Sequence, residues 1–219
     1  MSTRNVKHQL FEQFARVGKA LSSPVRLDLL ECLGQGPRSV EGLADKCGLP
    51  VANASHHLQQ LRLAGLVGAS KEGLYVYYRL AGDEVVALLN AVRSVAGQNI
   101  AEVERLVKTY LTVKDSLEPV PAEELLKRVR KGLVTVIDVR PRDEFEAGHI
   151  AGAVNVPLAE LEKHFRRLKR GKEVVAYCRG PHCVLSYDAV AQLRAHGISA
   201  RRLKEGYPEW KATGLPVEI

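Results

Sequence analysis

Cys178 opens the segment Cys178-Arg179-Gly180-Pro181-His182-Cys183-Val184, directly after the apolar run EVVAY at 173–177. The run predicts a strand, and LSYDAVAQLRAHG from Leu185 predicts a helix. A loop between a parallel strand and a helix lies at the carboxyl end of its sheet, where α/β sites occur. Loop amides around Gly180 and Val184, with the helix N-terminus, stabilise an anion there. That setting lowers a thiol pKa and holds a thiolate or persulfide. Arg179 and His182 add donors or charge. A cysteine after an apolar strand is often only a core residue; the glycine, the proline and Cys183 favour chemistry here.

A second set of groups points to nucleic acid. In VANASHHLQQLRLAG (51–65), Ala54, Leu58 and Leu61 form the apolar stripe of a helix, and Asn53, Ser55, His56, Gln59 and Gln60 lie mostly off it. Such polar side chains can read base edges in a major groove. Arg62, Lys71 and Arg79 are candidate phosphate contacts. Plain solvation is the bland reading of that face. His56 and His57 invite a metal reading, but adjacent helical residues point about 100° apart and make poor joint ligands.

The elements that must position these groups follow from periodicity and punctuation. Residues 6–20 repeat apolar positions at helical spacing (Val6, Leu10, Phe14, Val17). Ser22-Ser23-Pro24 reads as an N-cap with proline in the first turn of RLDLLECL, which ends at Gly34. Ser39 caps a short helix (VEGLADKC) closed by Gly48, and Pro50 opens the next. LVGAS and LYVYYRL flank Lys71-Glu72-Gly73, a hairpin signal. Asp83 starts a helical stretch to about Tyr110; its apolar stripe reads as a dimer seam or an intrachain core face. After Asp115–Pro121, polar with two prolines, helix (AEELLKRVRKG) and strand (LVTVIDV, GKEVVAYC) alternate, which implies a parallel sheet. The expected organisation is two domains. Residues 1–114 form a mainly α winged helix-turn-helix and 122–219 an α/β domain with a parallel sheet flanked by helices, joined by a linker at 115–121.

Apolar residues make up 46% of the 219, which excludes a disordered chain. No apolar run approaches the ~18 residues of a membrane helix, and the N-terminus reads as an amphipathic helix and not a signal peptide. The expected location is the cytoplasm, where the four cysteines would be reduced. Net charge is +7, but residues 1–118 carry 14 Lys/Arg against 12 Asp/Glu (+2) and residues 119–219 carry 18 against 13 (+5). The excess is thus mostly outside the DNA-binding segment. Much of it lies in KHFRRLKRGK (163–172), which reads as a solvated helix face and loop.

Helix, turn, helix and hairpin in this order are those of a winged helix-turn-helix. ALSSPVRLDLLECL, LADKCGLPVANASHHLQQLRLAGLV and the KEG tip before YVYYRL resemble the ArsR family of winged-helix repressors over about residues 8–110. The resemblance implies a homodimer on double-stranded operator DNA whose affinity an inducer lowers. It does not bring the family's metal sites. The thiolate type needs Cys-x-Cys before the recognition helix, where only Cys47 stands, and the last helix has no His. Relatives that sense reactive sulfur place one Cys on the second helix, matched by Cys32, and one on the last, which is missing. Cys32 and Cys47 therefore read as ordinary buried thiols.

The second half resembles a rhodanese (sulfurtransferase) domain. The carriers are VIDVRPRDEFEAGHIAGAVNVPL (136–158), VVAYCRG (174–180) and LKEGYPEWKATGLPV (203–217). The resemblance implies that Cys178 accepts a sulfane sulfur from a small donor and passes it to a thiol acceptor. It implies structural places for Asp138, Arg140 and His149. Phosphatases and arsenate reductases with a similar cradle need Cys-x5-Arg, and position 184 is valine. Cys183 stands where a rhodanese carries a basic or hydroxyl residue, so thiosulfate is not supported as the donor. Cys183 either resolves a Cys178 persulfide to a disulfide, releasing sulfide, or packs behind the loop.

The leading expectation is a homodimeric transcriptional regulator carrying a sulfur-handling domain, without cofactor or metal. Two rivals stand beside it. One is a sulfurtransferase whose winged helix serves dimerisation. The other is a thiol redox or arsenic-handling protein using Cys178 and Cys183.

Overall fold

A computed structural model describes residues 3–112, 118–168 and 172–219. Residues 115–117 of the expected linker, and 169–171 of the basic stretch, lie outside the described residues. Two compact units are present, Met1–Val85 and Val86–Ile219.

The first unit contains α1 (Thr3–Leu21), α2 (Pro24–Gly34), β1 (Arg38–Ser39), α3 (Val40–Lys46), α4 (Val51–Leu63), β2 (Val67–Glu72) and β3 (Tyr75–Leu80). Pro24 occupies the first turn of α2, where its missing N–H has no helical partner to lose. Ser23 is the N-cap but makes no side-chain bond, whereas Ser39 Oγ accepts from Gly42 N at 3.1 Å. Leu29, Leu30, Leu43, Ala54, Leu58 and Leu61 are fully buried, so α2, α3 and α4 share one core. The three strands form an antiparallel sheet in the order β1-β3-β2. Lys71 pairs with Val76 and Glu72 with Tyr75, so the turn is Gly73-Leu74, and of the Lys71-Glu72-Gly73 signal Gly73 alone lies in it. Gly73 has φ +62°, the left-handed conformation that suits glycine in a tight hairpin.

The unit division falls inside α5 (Asp83–Asn99), which is followed by α6 (Ala101–Leu106) and a π-helical turn at Val107–Thr112. The single long helix expected from Asp83 is thus interrupted at Ile100, whose backbone is extended. Gly97 and Asn99 are weak helix formers, and Asn99 Nδ2 takes the Val95 carbonyl at 2.8 Å.

The second unit continues with α7 (Ala122–Arg130), β4 (Val134–Asp138), α8 (Arg142–Glu146), β5 (His149–Ile150) and β6 (Val154–Asn155). After a 3-10 turn at Leu158–Glu160 come α9 (Leu161–Leu168), β7 (Glu173–Tyr177), α10 (Val184–Ala195), β8 (Ala200–Arg202), α11 (Tyr207–Ala212) and β9 (Val217–Glu218). The main sheet is parallel, in the order β6-β4-β7-β8, and β5 pairs with β9 as a small antiparallel ribbon.

Alternation of side chains across the strands explains the unbroken apolar runs, because both faces are covered. Ile137, Val174, Ala176 and Cys178 face the core shared with Leu161 and Leu168 of α9 and Ala189, Val190 and Leu193 of α10. Val136, Val175 and Tyr177 face the core shared with Leu125 of α7 and Tyr207 and Trp210 of α11.

Candidate functional site

Strand order reverses between β4 and β7, because the chain passes from β4 to β6 on one side and then to β7 and β8 on the other. A crevice opens at the carboxyl ends of strands at such a switch point. Asp138 ends β4, Tyr177 ends β7, and the two are in register. The residues that follow, Val139-Arg140 and Cys178-Arg179, therefore emerge side by side.

Cys178 is 1% exposed and bonded through sulfur to Cys183, with Cα atoms 6.2 Å apart. Cys183 is the N-cap of α10, so this bond spans from the strand end to the start of a twelve-residue helix. The loop between them is tied by Cys183 N to the Gly180 carbonyl at 3.2 Å, and Ser186 Oγ donates to the Cys183 carbonyl at 3.0 Å. Tyr207 N donates to the Cys178 carbonyl at 3.0 Å, anchoring the loop from α11. Gly206 lies against the backbone of Arg179 and Gly180, and a Cβ there would overlap Gly180. His182 and Val184 are exposed.

Arg179 is turned to Glu144 of α8, with Nε 2.9 Å from Oε2 and Nη2 2.6 Å from Oε1. Glu144 is 2% exposed, so this forked pair is a fixed clamp between α8 and the loop. Sequence reasoning did not single out Glu144, although the quoted RDEFEAGH segment contains it. Glu209 of α11 was missed as well. Its Oε2 accepts from Gly206 N at 2.9 Å, and its Oε1 from Arg93 Nη1 of α5 at 3.1 Å, inside the second unit. Arg93 carries no signal in the sequence that marks it.

Beneath the loop Asp138 and Arg140 are both fully buried. Arg140 Nε is 3.0 Å from both carboxylate oxygens, Nη2 is 2.6 Å from Oδ2, and Nη2 also donates to the Gly148 carbonyl at 2.8 Å. The guanidinium lies over the Tyr207 ring at 4.3 Å. Burial raises the Tyr177 phenol well above its ordinary range, so it stays protonated, and its oxygen accepts from Ile150 N at 3.1 Å. His149 stacks on Phe145 at 3.6 Å and places Nδ1 3.1 Å from the Phe145 carbonyl.

On α4 the buried stripe is Ala54, Leu58 and Leu61. Asn53, His56, Gln59, Gln60 and Arg62 are exposed and Ser55 is half-buried. Lys71 and Arg79 are exposed on the two wing strands. A cleft of about 500 Å³ beside α4 gathers Arg16, Lys19 and Arg26 with His56 and Gln60. His56 and His57 have ring centroids 5.9 Å apart, edge to face. Burial, then the charges of Arg26 and His56, lowers the His57 pKa from 6.5, and its buried Nδ1 has no hydrogen-bond partner. Cys32 and Cys47, read from sequence as ordinary buried thiols, are half-buried and have sulfurs 3.5 Å apart. Among the described residues no group of three or more His, Cys, Asp or Glu is placed to hold a metal ion, and no helix is long and apolar enough to cross a membrane.

Comparison with known proteins matches both halves. The helix-turn-helix domain family matches residues 21–67 and the rhodanese-like domain family residues 121–213. Two solved structures are similar to one half each. The homodimeric winged helix-turn-helix DNA-binding domain (fragment 1–100) Mb0332 of Mycobacterium bovis, a possible ArsR-family transcriptional regulator, is 44% identical, covering 46% of this chain and 91% of that one, with a TM-score of 0.42. A rhodanese-related protein of Thermoplasma volcanium is 29% identical, covering 47% of this chain and 98% of that one, with a TM-score of 0.42. The HTH-type transcriptional regulator Rv0324 of Mycobacterium tuberculosis is 43% identical over 212 residues, 97% of this chain and 93% of that protein. Similarity of that extent, through both halves, assigns the chain: it belongs to the HTH-type transcriptional regulators, with a DNA-binding winged helix-turn-helix at its N-terminus and a rhodanese-like domain at its C-terminus.

Proposed function

We propose that this regulator acts in the cytoplasm as a homodimer on double-stranded operator DNA and that its rhodanese-like domain handles sulfane sulfur through Cys178. Asn53, Ser55, His56, Gln59 and Gln60 read base edges from α4, and Arg62, Lys71 and Arg79 hold phosphates. Uncovered apolar side chains support the dimer: Leu10, Phe11 and Phe14 on α1, and Val95, Ile100 and Leu106 along α5 and α6, are all exposed in the single chain.

The single observation that carries the sulfur reading is the junction of Cys178 and Cys183 at the sheet's switch point, with Cys183 capping α10. With both sulfurs reduced, the Cys178 thiolate attacks the outer sulfur of a small persulfide donor. It gains that sulfur as Cys178–S–SH, and the donor leaves as a thiol. Cys183 thiolate then attacks Sγ of Cys178, forming the disulfide and expelling the outer sulfur as sulfide. Two thiols are oxidised, and the zero-valent sulfur is reduced. A thiol acceptor in excess restores the dithiol by exchange. Gly180, the loop amides and the α10 N-terminus stabilise the negative sulfur, His182 stands at the exposed edge of the loop, and Arg179, held by Glu144, fixes the loop's shape.

Coupling of this chemistry to DNA binding is part of the proposal. The Cys178–Cys183 loop packs on Gly206, Gly206 N is held by Glu209, and Glu209 pairs with Arg93 of α5. A loop that changes shape on oxidation thus has a physical connection to that helix. The test is affinity for DNA upstream of the protein's own coding sequence, for wild type and Cys178→Ser, each with and without inorganic polysulfide. Loss of affinity in wild type alone is expected. Equal loss in both, or loss in neither, makes the domain a tethered sulfurtransferase and not the sensor.

A further inference from the structure

We infer that Cys32 and Cys47 form a second dithiol site, in the DNA-binding unit, that is oxidised to a disulfide by exchange with small disulfides. The two residues are fifteen apart in sequence, and α2 and α3 bring their sulfurs to 3.5 Å, the distance of an S–H···S contact. Two thiols at that distance need to close by about 1.5 Å to reach the ~2.05 Å of a disulfide bond. Both are half-buried, so a small reagent reaches them, yet neither sits in the middle of a packed core.

The placement favours closure over simple capping. Cys32 lies within α2, whose Leu29, Leu30 and Leu33 are locked in the core. Cys47 is the C-cap of α3, where the helix has already ended. It is followed by Gly48, which has φ +62° and initiates the turn into α4. One sulfur is therefore held and the other sits at a helix terminus with a glycine hinge behind it, able to approach. Closure would cross-link α2 to the end of α3 immediately before the turn that sets the recognition helix.

The exchange balances without further reagents. A thiolate at Cys32 or Cys47 attacks a small disulfide RSSR, forming a mixed disulfide and releasing one RS⁻. The second cysteine attacks the protein sulfur of that mixed disulfide, forming Cys32–Cys47 and releasing the second RS⁻. The protein loses two electrons and two protons, and RSSR gains both pairs as two RSH. The site is independent of the Cys178 reading, since it lies in the other unit and needs no sulfane sulfur.

Peptide mapping of the full chain decides it without any substitution. Trypsin places Cys32 in 27–38, Cys47 in 47–62, Cys178 in 173–179 and Cys183 in 180–194, each on its own peptide. The reduced protein is incubated with glutathione disulfide, quenched in acid, and digested with and without reductant. The expected product is the 27–38 peptide linked to 47–62, with little glutathione left on either. In Cys47→Ser, Cys32 should instead retain one glutathione. Stable glutathione on both cysteines of the wild type, or two thiols still open to alkylation when the 178–183 linkage has formed, overturns the inference. The same mapping on Cys178→Ser, Cys183→Ser shows that the linkage does not depend on the rhodanese-like loop.

Discussion

Replacing Arg140 by Met should unfold the second unit at markedly lower denaturant while leaving the first unit intact. Asp138 and Arg140 are both fully buried, and the guanidinium is the cation that faces that carboxylate, which also accepts from the Arg140 amide at 2.9 Å and from the Tyr177 phenol. Without Arg140 the carboxylate is a desolvated charge, and breaking a buried pair from one side costs about 3–5 kcal/mol. With an m-value of roughly 2 kcal/mol/M in urea, the midpoint should fall by about 2 M. The chain's one tryptophan makes the assay specific. Trp210 is 2% exposed and shares a core with Tyr207, the ring beneath Arg140, so its fluorescence reports this unit. The loss should shrink as pH falls. An unpaired buried carboxylate has a raised pKa, its penalty is full above that value, and it vanishes as pH drops toward the unfolded value near ~3.9. Adding Asp138→Asn should recover much of the midpoint, because no charge is then buried. A midpoint for Arg140→Met within about 0.3 M of wild type, or a double variant as weak as the two single losses summed, would refute the argument.

Replacing Asn53, Ser55, His56 and Gln59 together by Ala should abolish specific DNA binding in gel shifts and leave the circular dichroism spectrum unchanged, since none of the four belongs to the buried stripe of α4. In the reduced protein, alkylation at mildly acidic pH should label Cys178 before Cys32 or Cys47, by the loop amides and the α10 N-terminus; mass mapping gives the order. Stability of the first unit should fall as pH drops below 6.5, because His57 is held below that value when folded and the unfolded chain then binds more protons. His57→Gln should flatten that slope in thermal melts followed by circular dichroism.

Much of the architecture was legible because local signals and packing agree. Ser39, Pro24 and Pro50 stand at helix starts, and the strand runs at 134–138 and 173–177 are apolar throughout because both sheet faces are covered. The break at Ile100 was not legible, since the apolar stripe continues through it and the opposing signals, Gly97 and the Asn99 side chain on the Val95 carbonyl, are weak. The hairpin signal included Gly73 of the turn and missed Leu74, because Lys71 and Glu72 have turn-like company in sequence yet pair within the ladder. At the site, Cys178, Arg179 and Cys183 could be named from one short segment. Their partners could not. Glu144 is 35 residues from Arg179, and Arg93 is 116 residues from Glu209, so no periodicity or spacing connects them. The proximity of Cys32 and Cys47 is likewise a tertiary fact, produced by how α2 and α3 cross and invisible in either helix alone.

Gly206 and Gly180 meet backbone to backbone, with no room for a methyl group at 206. Neither has a positive φ, so the restriction at 206 comes from this contact and not from backbone conformation. Position 206 therefore mutates under the loop's constraint: a side chain there must displace the Arg179–Gly180 peptide, whatever else it does. Lineages that lack Cys178 should be free to lose the glycine at 206 as well, although the two lie on different motifs. Sequences that keep Cys178 but carry a larger residue at 206 should have rebuilt the loop.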